Sequence, residues 1–282
     1  MKKLFITIAV IAVAVVAVAG QQGQGGPPAR YTPAPGAKDM RAVLFNWAWY
    51  MGMLRGPLET EAVATLELKA NGTLQVDGQP CRLTKYRISN NYQIGGERIQ
   101  IACTRANGQT YSNVEVVSGQ YAWDEDIPGA EIVPGKGKAT PKPALLRERL
   151  IRLWASPQGA PKAAAAAKEN ASVDWSTGKP VVSYPIPGAS GAVAKATLSA
   201  QNQAEHIEVR DGNTLYTFDY ANYDDFNNPL NKIEAFMPGT MVEKRNGTVT
   251  RDLTTTETET GNLYVVMPVP ASVKKTTSPQ SN

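Results

Sequence analysis

The chain has 282 residues, 42% hydrophobic and 19% charged, a balance typical of a folded globular protein with one large or two small domains. Its formal net charge is +4, and it falls to +2 if Lys2 and Lys3 are removed with a leader peptide. So small a charge does not favour a nucleic acid or an anionic surface as partner, and we expect no nucleic-acid binding.

Residues 1–19 are predicted to be a secretory signal peptide. Lys2 and Lys3 are followed by an apolar run, Leu4 to Val18, and by an A-x-A cleavage motif at residues 17–19. We expect cleavage after residue 19 and a periplasmic or secreted bacterial protein. No transmembrane span is expected after cleavage, because the apolar run is shorter than the roughly 20 residues that a spanning helix needs. An uncleaved N-terminal anchor is the alternative.

Residues 20–37 are rich in Gly, Pro and Gln and are predicted to form a flexible lead-in. A single β-rich domain is then expected over residues 38–272, and it begins with a helix that opens at Asp39. Apolar residues recur at helical spacing in this segment: Met40, Val43, Leu44, Trp47, Met51 and Leu54. A helix face of this kind usually packs into a core and sometimes forms a docking surface.

From Glu61 onward the apolar pattern has a period of two, which predicts strands. Asn71-Gly72 and Asp211-Gly212 are two of several turn signals between them. The predicted strands are 63–69, 73–76, 81–88, 98–104, 112–123, 180–184, 192–200, 204–209, 214–220, 232–236, 241–244, 248–256 and 262–267. Because the order is strands, helices, strands, with short turns, it predicts an antiparallel meander and not β-α-β winding.

Cys81 and Cys103 are the only cysteines, and in an exported protein they are predicted to form a disulfide. The alternative, a redox-active pair, lacks the C-x-x-C spacing. If the two cysteines face each other across a hairpin, the turn lies near Tyr92 and opposite residues can be paired. That register places Leu83 opposite Ile101, Lys85 opposite Ile99 and Arg87 opposite Glu97.

A helical insert is predicted over residues 140–170. One apolar face carries Leu146, Leu150, Leu153 and Trp154. Thr140 is a candidate N-cap, Ser156-Pro157 should end the helix, and a second helix should run from about Pro161 through the alanines to Lys168. We interpret the insert as a helix pair that covers one side of the sheet, either as a plain core element or as a lid over a cavity.

No catalytic, metal or cofactor site is predicted. His206 is the only histidine, so the usual His- or Cys-rich zinc site cannot form once the cysteines are bonded. There is no G-x-S-x-G motif and no phosphate-binding glycine loop. The acidic groups at 124–126 and 219–225 lack the spacing of a calcium loop, and they are expected to be solvated.

Several segments carry a resemblance to known proteins: VDGQPCRLTKYRIS (76–89), CTRANGQTYSNVEVVSGQYAWDEDIPGAE (103–131), RLIRLWASPQGAPKAA (149–164), NNPLNKIEAF (227–236) and RDLTTTETETGN (251–262). They resemble a group of uncharacterised exported bacterial proteins, which implies no activity. More distantly, VVSGQYAWDED, IRLWASPQGAPKAA and TFDYANYDDFNNPLNKIEAF are similar to a β-rich module that precedes metallo-β-lactamase-type domains in some exported bacterial proteins.

That module in turn resembles the half-barrel of periplasmic lipoprotein carriers. The resemblance implies an open antiparallel sheet whose concave face is covered by helices and accepts acyl chains. The H-x-H-x-D-H metal motif of the hydrolase is absent from this sequence, so no catalytic residue is transferred to this chain.

The expected fold is therefore β-rich α+β: a large, curved, half-barrel-like antiparallel sheet with a central helix pair, an N-terminal helix and a polar tail at 273–282. We expect an exported, non-enzymatic module without a cofactor that binds a lipid or other apolar or amphipathic ligand, or an envelope protein partner. The alternative is a structural or interaction protein of the envelope with a filled core. The expected ligand-binding residues are Leu146, Leu150, Leu153, Trp154, Trp47 and Met51, with room beside the alanines at 163–167.

Overall fold

A 13-stranded antiparallel sheet forms the body of the computed structural model, which describes residues 31–55, 60–61, 63–228 and 234–277. The predicted signal peptide, most of the lead-in and the last five residues of the predicted tail lie outside the described residues, as does part of the predicted 232–236 strand. From Thr32 onward the chain forms one compact unit.

The strands fall into two meanders. The first contains β3 (Thr65–Val76), β4 (Gln79–Asn91), β5 (Gly96–Arg105), β6 (Thr110–Ser118), β7 (Tyr121–Glu125) and β8 (Ala139–Pro141). The second contains β9 (Ser172–Asp174), β10 (Val181–Pro185), β11 (Val193–Leu198), β12 (Ala204–Asp211), β13 (Thr214–Asp225), β14 (Phe236–Arg245) and β15 (Thr248–Thr260). The short strands β1 (Leu54–Arg55) and β2 (Thr60–Glu61) pair with each other outside this sheet.

The two meanders meet at one seam, where β3 pairs with β15. The outer strands of the sheet are β8 and β9, and the sheet curves without closing between them. This confirms the predicted half-barrel-like antiparallel sheet.

Helices occupy the start of the domain, the link between the meanders and the C-terminal end. They are α1 (Met40–Tyr50), α2 (Leu146–Ala155), α3 (Gly159–Ala166) and α4 (Ala271–Thr277), with 3₁₀ turns at Pro143–Leu145 and Lys168–Asn170. The backbone N–H of Ala42 donates to the side chain of Asp39 over 3.0 Å and so caps α1, at the residue where the sequence predicted the helix to open. None of the described helices is long and apolar enough to cross a membrane.

The helix pair α2–α3 links the two outer strands and lies on the inner face of the sheet. α2 contacts β5, β6 and β7 of the first meander and β12 of the second. Its Ile151 and Leu153 are fully buried with the apolar side chains of both meanders. The predicted break at Ser156-Pro157 and the predicted central helix pair are both confirmed.

Several predicted boundaries differ from the structure. The predicted turn at Asn71-Gly72 does not form, because both residues lie within β3 and pair with β15. The first helix ends at Tyr50, so Leu54 of the predicted stripe lies in β1.

Thr140 is not an N-cap, because it pairs with Asp124 in the sheet and α2 begins only after the 3₁₀ turn. The second helix begins at Gly159 and not near Pro161. The predicted tail boundary at residue 273 falls within α4, where Val273 is buried.

The predicted strand at 262–267 is not a strand. Val265 and Met267 are buried against the sheet, and Asn91 Nδ2 donates to the carbonyl oxygen of Val265 over 2.9 Å. Leu263 and Tyr264 are exposed. The apolar pattern therefore comes from one-sided packing of an extended segment, without the ladder of backbone hydrogen bonds that a strand needs.

The predicted disulfide is confirmed, with Cα atoms of Cys81 and Cys103 5.5 Å apart. The predicted register is wrong by two residues, since Cys81 faces Arg105 and Leu83 faces Cys103. A bulge at Thr84 then shifts the register again, so that Ile101 faces Tyr86. A bulge increases the local twist of a strand pair, which allows a disulfide between diagonal neighbours. The predicted placement of Arg87 opposite Glu97 is also wrong, because Arg87 faces Gln100 and its Nη2 lies 2.7 Å from Glu67 Oε1.

Removal of the disulfide tests its contribution to stability. The double variant Cys81→Ala/Cys103→Ala should lose about 3 kcal/mol of unfolding free energy in urea, because the bond restricts the unfolded chain across 22 residues. The parent protein measured under reducing conditions should show the same loss. A difference below about 0.5 kcal/mol would mean that residual structure in the unfolded chain already keeps the two cysteines close together.

Candidate functional site

The inner face of the sheet holds a buried cluster of charges where apolar side chains are the rule. Arg152 projects from the middle of α2, and Arg251 comes from β15. Glu115 Oε2 accepts from Arg152 Nη1 over 2.9 Å and from Arg251 Nη2 over 3.0 Å. Glu243 Oε2 lies 3.4 Å from Arg152 Nε and 3.7 Å from Arg251 Nη1. Two carboxylates thus bridge two guanidinium groups.

A third carboxylate, Glu97 of β5, belongs to the same cluster but is weakly paired. It is 3% exposed, and its one ion pair among the described residues is a 3.9 Å approach to Arg152 Nη1. Burial raises the pKa of Glu97 to about 7, an effect that the nearby arginines Arg152 and Arg251 only partly oppose. Glu115 behaves differently, because Arg251, Arg152 and Arg149 outweigh its burial and hold its pKa at about 2.

Asn90 faces Glu97 directly across the β4–β5 pair. Its side chain is 2% exposed, and its Nδ2 donates to the hydroxyl of Tyr92 over 3.1 Å. Its Oδ1 is buried and has no hydrogen-bond partner in the part of the chain that the structure describes. A buried acceptor without a donor costs about 1–3 kcal/mol, so a donor bound at this amide would stabilise it.

An apolar cavity of about 60 Å³ lies between the end of α2 and the sheet. Its apolar wall includes Leu66, Leu68, Ile88, Phe218, Met237 and Met241. Asn90, Glu97 and Arg152 are part of the same lining. A volume of this size can hold a few water molecules and is less than half of the roughly 150 Å³ in which an engineered apolar cavity binds benzene.

A second cavity of about 240 Å³ adjoins the first and carries more charge in its walls. Glu115, Glu148 and Arg245 line the second cavity alone, while Arg152, Glu243 and Arg251 line both cavities. The charge cluster therefore lies between an inner apolar cavity and an outer polar one. This order of apolar and charged surface is complementary to an amphipathic molecule.

The raised pKa of Glu97 predicts a pH dependence of stability. Its folded pKa of about 7 lies above the ordinary 4.5, so its contribution is fully present below pH 4.5 and is lost as the pH rises to 7. Glutamine does not titrate, so Glu97→Gln should gain about 3 kcal/mol of unfolding free energy relative to the parent between pH 4.5 and 7.5. Urea unfolding at both values measures this gain. An equal difference at both pH values would contradict it.

The apolar residues predicted to bind a ligand are found in the core. Trp47, Met51 and Leu153 are fully buried in the main cluster. Leu150 is buried as well and packs against Gly188. A Cβ atom added to Gly188 would lie 2.9 Å from Leu150 Cδ1. The structure thus brings Trp47, Met51 and Leu153 into one core, but none of these four residues is part of the lining of either cavity described above.

Leu146 and Trp154 are only partly buried. The Trp154 ring lies 6.2 Å from the ring of Tyr92, and its backbone carbonyl accepts from the hydroxyl of Tyr184 over 3.1 Å. Neither residue lines the two cavities. Ala165 is exposed, so the alanines do not leave room at that position as the sequence suggested.

Sequence reasoning missed the charged residues of the site. The helical spacing of this segment predicts Arg152 away from the apolar face, in an i, i+4 pair with Glu148, and the structure contains this pair at 3.4 Å. The sequence of β5 contains one signal. Glu97 occupies the same face of the strand as Ile99 and Ile101, which are both buried. A lone carboxylate at an apolar alternation position indicates a buried charge.

The other polar residues noted in the sequence are engaged in local contacts. His206 is a strand residue, with its Nδ1 2.6 Å from Asp219 Oδ1, and Lys244 Nζ lies 2.8 Å from Asp219 Oδ2. Asp124 pairs with Arg149. No group of three His, Cys, Asp or Glu side chains in the described ranges is placed to hold a metal ion.

No family model and no curated protein matches the sequence. Among solved structures, the chain is similar to an outer membrane lipoprotein-sorting protein domain from Vibrio parahaemolyticus, with 12% identity over 78% of this chain and 92% of that chain, and a TM-score of 0.43. It is also similar to a DUF1329 family protein from Desulfovibrio piger, with 5% identity over 80% of this chain and 95% of that chain, and a TM-score of 0.38. At these values neither likeness bears on ligand or activity.

Proposed function

We propose that this protein is an exported, non-enzymatic module of the bacterial envelope that binds an amphipathic ligand on the inner face of its half-barrel. The observation that carries the proposal is the adjacency of an apolar cavity and a buried charge cluster. The apolar part of the ligand would lie in the inner cavity, and its polar group would lie at the cluster.

Energetics support a function for the cluster. Buried ion pairs are costly to desolvate, and well-packed apolar residues in their place are often neutral or stabilising by about 1–4 kcal/mol. Charges kept beside a cavity are therefore candidates for a role in binding. Met237 and Met241 form part of the wall, and methionine side chains adapt readily to apolar ligands of different shape. Binding of an apolar chain would require this wall to open beyond its present 60 Å³.

The alternative is a structural or interaction protein of the envelope with a filled core. The small volume of the inner cavity favours it, because 60 Å³ holds water but not an acyl chain. In that case the charge cluster would serve to fix the packing of α2 on the sheet.

Binding of 1-octanol, a neutral amphipathic probe, separates the two functions. Calorimetry should show octanol binding to the parent with a negative heat-capacity change, because apolar surface is buried. Leu253→Phe fills the cavity wall and should weaken binding at least tenfold. Val249→Phe is the matched control, since it changes an exposed residue of the same strand and should leave binding unchanged.

If the parent does not take up octanol, and native mass spectrometry of protein purified from its own envelope finds no bound molecule, the filled-core function is supported. Leu253→Phe carries an overpacking cost of about 1–3 kcal/mol, so its folding is checked by thermal unfolding before binding is compared.

A further inference from the structure

The charges within the connected cluster at Arg152 do not balance. Among the described residues, the connected cluster contains four carboxylates and three guanidinium groups: Glu97, Glu115, Glu148 and Glu243 with Arg152, Arg245 and Arg251. Arg149 lies next to the cluster without an ion pair to it, and it shares Asp124 with Lys142, whose Nζ lies 3.5 Å from Asp124 Oδ2. With every group ionised, one negative charge is left over.

The surplus charge belongs to Glu97. Glu115 and Glu243 each bridge Arg152 and Arg251, and Glu148 bridges Arg152 and Arg245 at 3.4 and 3.1 Å. The Glu97 carboxylate has only its 3.9 Å approach to Arg152 and makes no side-chain hydrogen bond in the described part of the chain. A buried carboxylate in this state has a distant counter-charge and no hydrogen-bond donor.

A second and independent observation concerns the same cavity wall. Asn90 Oδ1 is buried without a hydrogen-bond partner in the described ranges, and Asn90 is the cross-strand neighbour of Glu97. Both side chains line the inner apolar cavity. Two acceptors of hydrogen bonds, one of them an acid, thus adjoin the same space and require donors.

We propose that the polar group of the ligand is a protonated amine, whose ammonium group donates to the Glu97 carboxylate and to Asn90 Oδ1. This inference rests on the proposed function and specifies its ligand class: a primary amine on an apolar chain. An ammonium group supplies three donors and the missing positive charge. A hydroxyl supplies one donor, and a carboxylate would add to the surplus of negative charge.

The inference is tested with octylamine, octanol and octanoate, three probes that share a chain and differ in the polar group. At pH 8, and below the concentrations at which the probes aggregate, the parent should bind octylamine at least tenfold more tightly than octanol. It should not bind octanoate measurably. The variant Glu97→Gln should lose at least tenfold in affinity for octylamine and keep its affinity for octanol. Glu169→Gln, which removes the same charge from an exposed position, is the matched control and should bind like the parent.

The outcomes distinguish this inference from the proposed function. If octanol binds but octylamine binds no more tightly, or if Glu97→Gln keeps its preference for octylamine, the amine is excluded and an apolar ligand site remains. A loss of both probes in Glu97→Gln also counts against the amine. If the parent binds none of the three probes, the proposed function fails as well. Thermal unfolding of each variant shows that it is folded before binding is compared.

Discussion

Arg152→Met should lower the free energy of unfolding by about 3–5 kcal/mol, although methionine fits the apolar surroundings well. Removal of the guanidinium group leaves Arg251 as the one remaining ion-pair partner of Glu115 and Glu243 among the described residues, and it leaves Glu97 without its one ionic contact. The cost comes from buried carboxylates that lose a counter-charge, and not from lost packing. Urea unfolding at pH 7 measures it.

Arg245→Met is the matched control for this variant. Arg245 belongs to the same cluster through Glu148, but its side chain is 51% exposed. A salt bridge exposed to solvent contributes about 0–1 kcal/mol, so the control should change stability by no more than that. Equal effects of the two substitutions would mean that the cluster is solvated and not buried.

Trp47→Ala is expected to lower the free energy of unfolding by about 3–5 kcal/mol, the range for an indole removed from a core. Trp47 is fully buried on the inner side of α1. Its Nε1 is buried without a hydrogen-bond partner among the described residues, so the expected loss of stability comes from packing and not from a lost hydrogen bond. The substitution therefore creates a cavity, which thermal or urea unfolding should reveal.

Trp49→Ala provides the comparison on the same helix. Trp49 is 47% exposed and its ring stacks on that of Phe45 with centroids 6.0 Å apart. Loss of this surface contact should cost no more than about 1 kcal/mol. Equal destabilisation of the two tryptophan variants would contradict the structure, in which Trp47 is buried and Trp49 is exposed.

Local signals in the sequence predicted the helices well. Asp39 caps α1 and its apolar stripe faces the core, while Ser156-Pro157 separates α2 from α3. These features depend on residues that are close in the chain, where capping and backbone geometry act directly. The disulfide was predicted from cysteine number and the expected compartment, but its register was not, because nothing in the sequence marks the bulge at Thr84.

The charge cluster could not be predicted in the same way. Its members come from α2 and from strands of both meanders, so their proximity depends on how the sheet curves around the helix. Read singly, each of these charged residues is typical of a solvent-exposed position. Only Glu97 carried a local sign, since it interrupts an apolar alternation in β5.

The seam between β3 and β15 has a consequence for the time course of folding. Lys69 and Glu257, which form an ion pair of 2.9 Å across the seam, are 188 residues apart in the chain. The hairpins of each meander are local and can form early, whereas a contact at this separation must wait for the closure of a very long loop. Until then β3 and β15 are both open sheet edges, able to pair with another chain. Aggregation during refolding should therefore rise steeply with protein concentration and stop once the seam has closed.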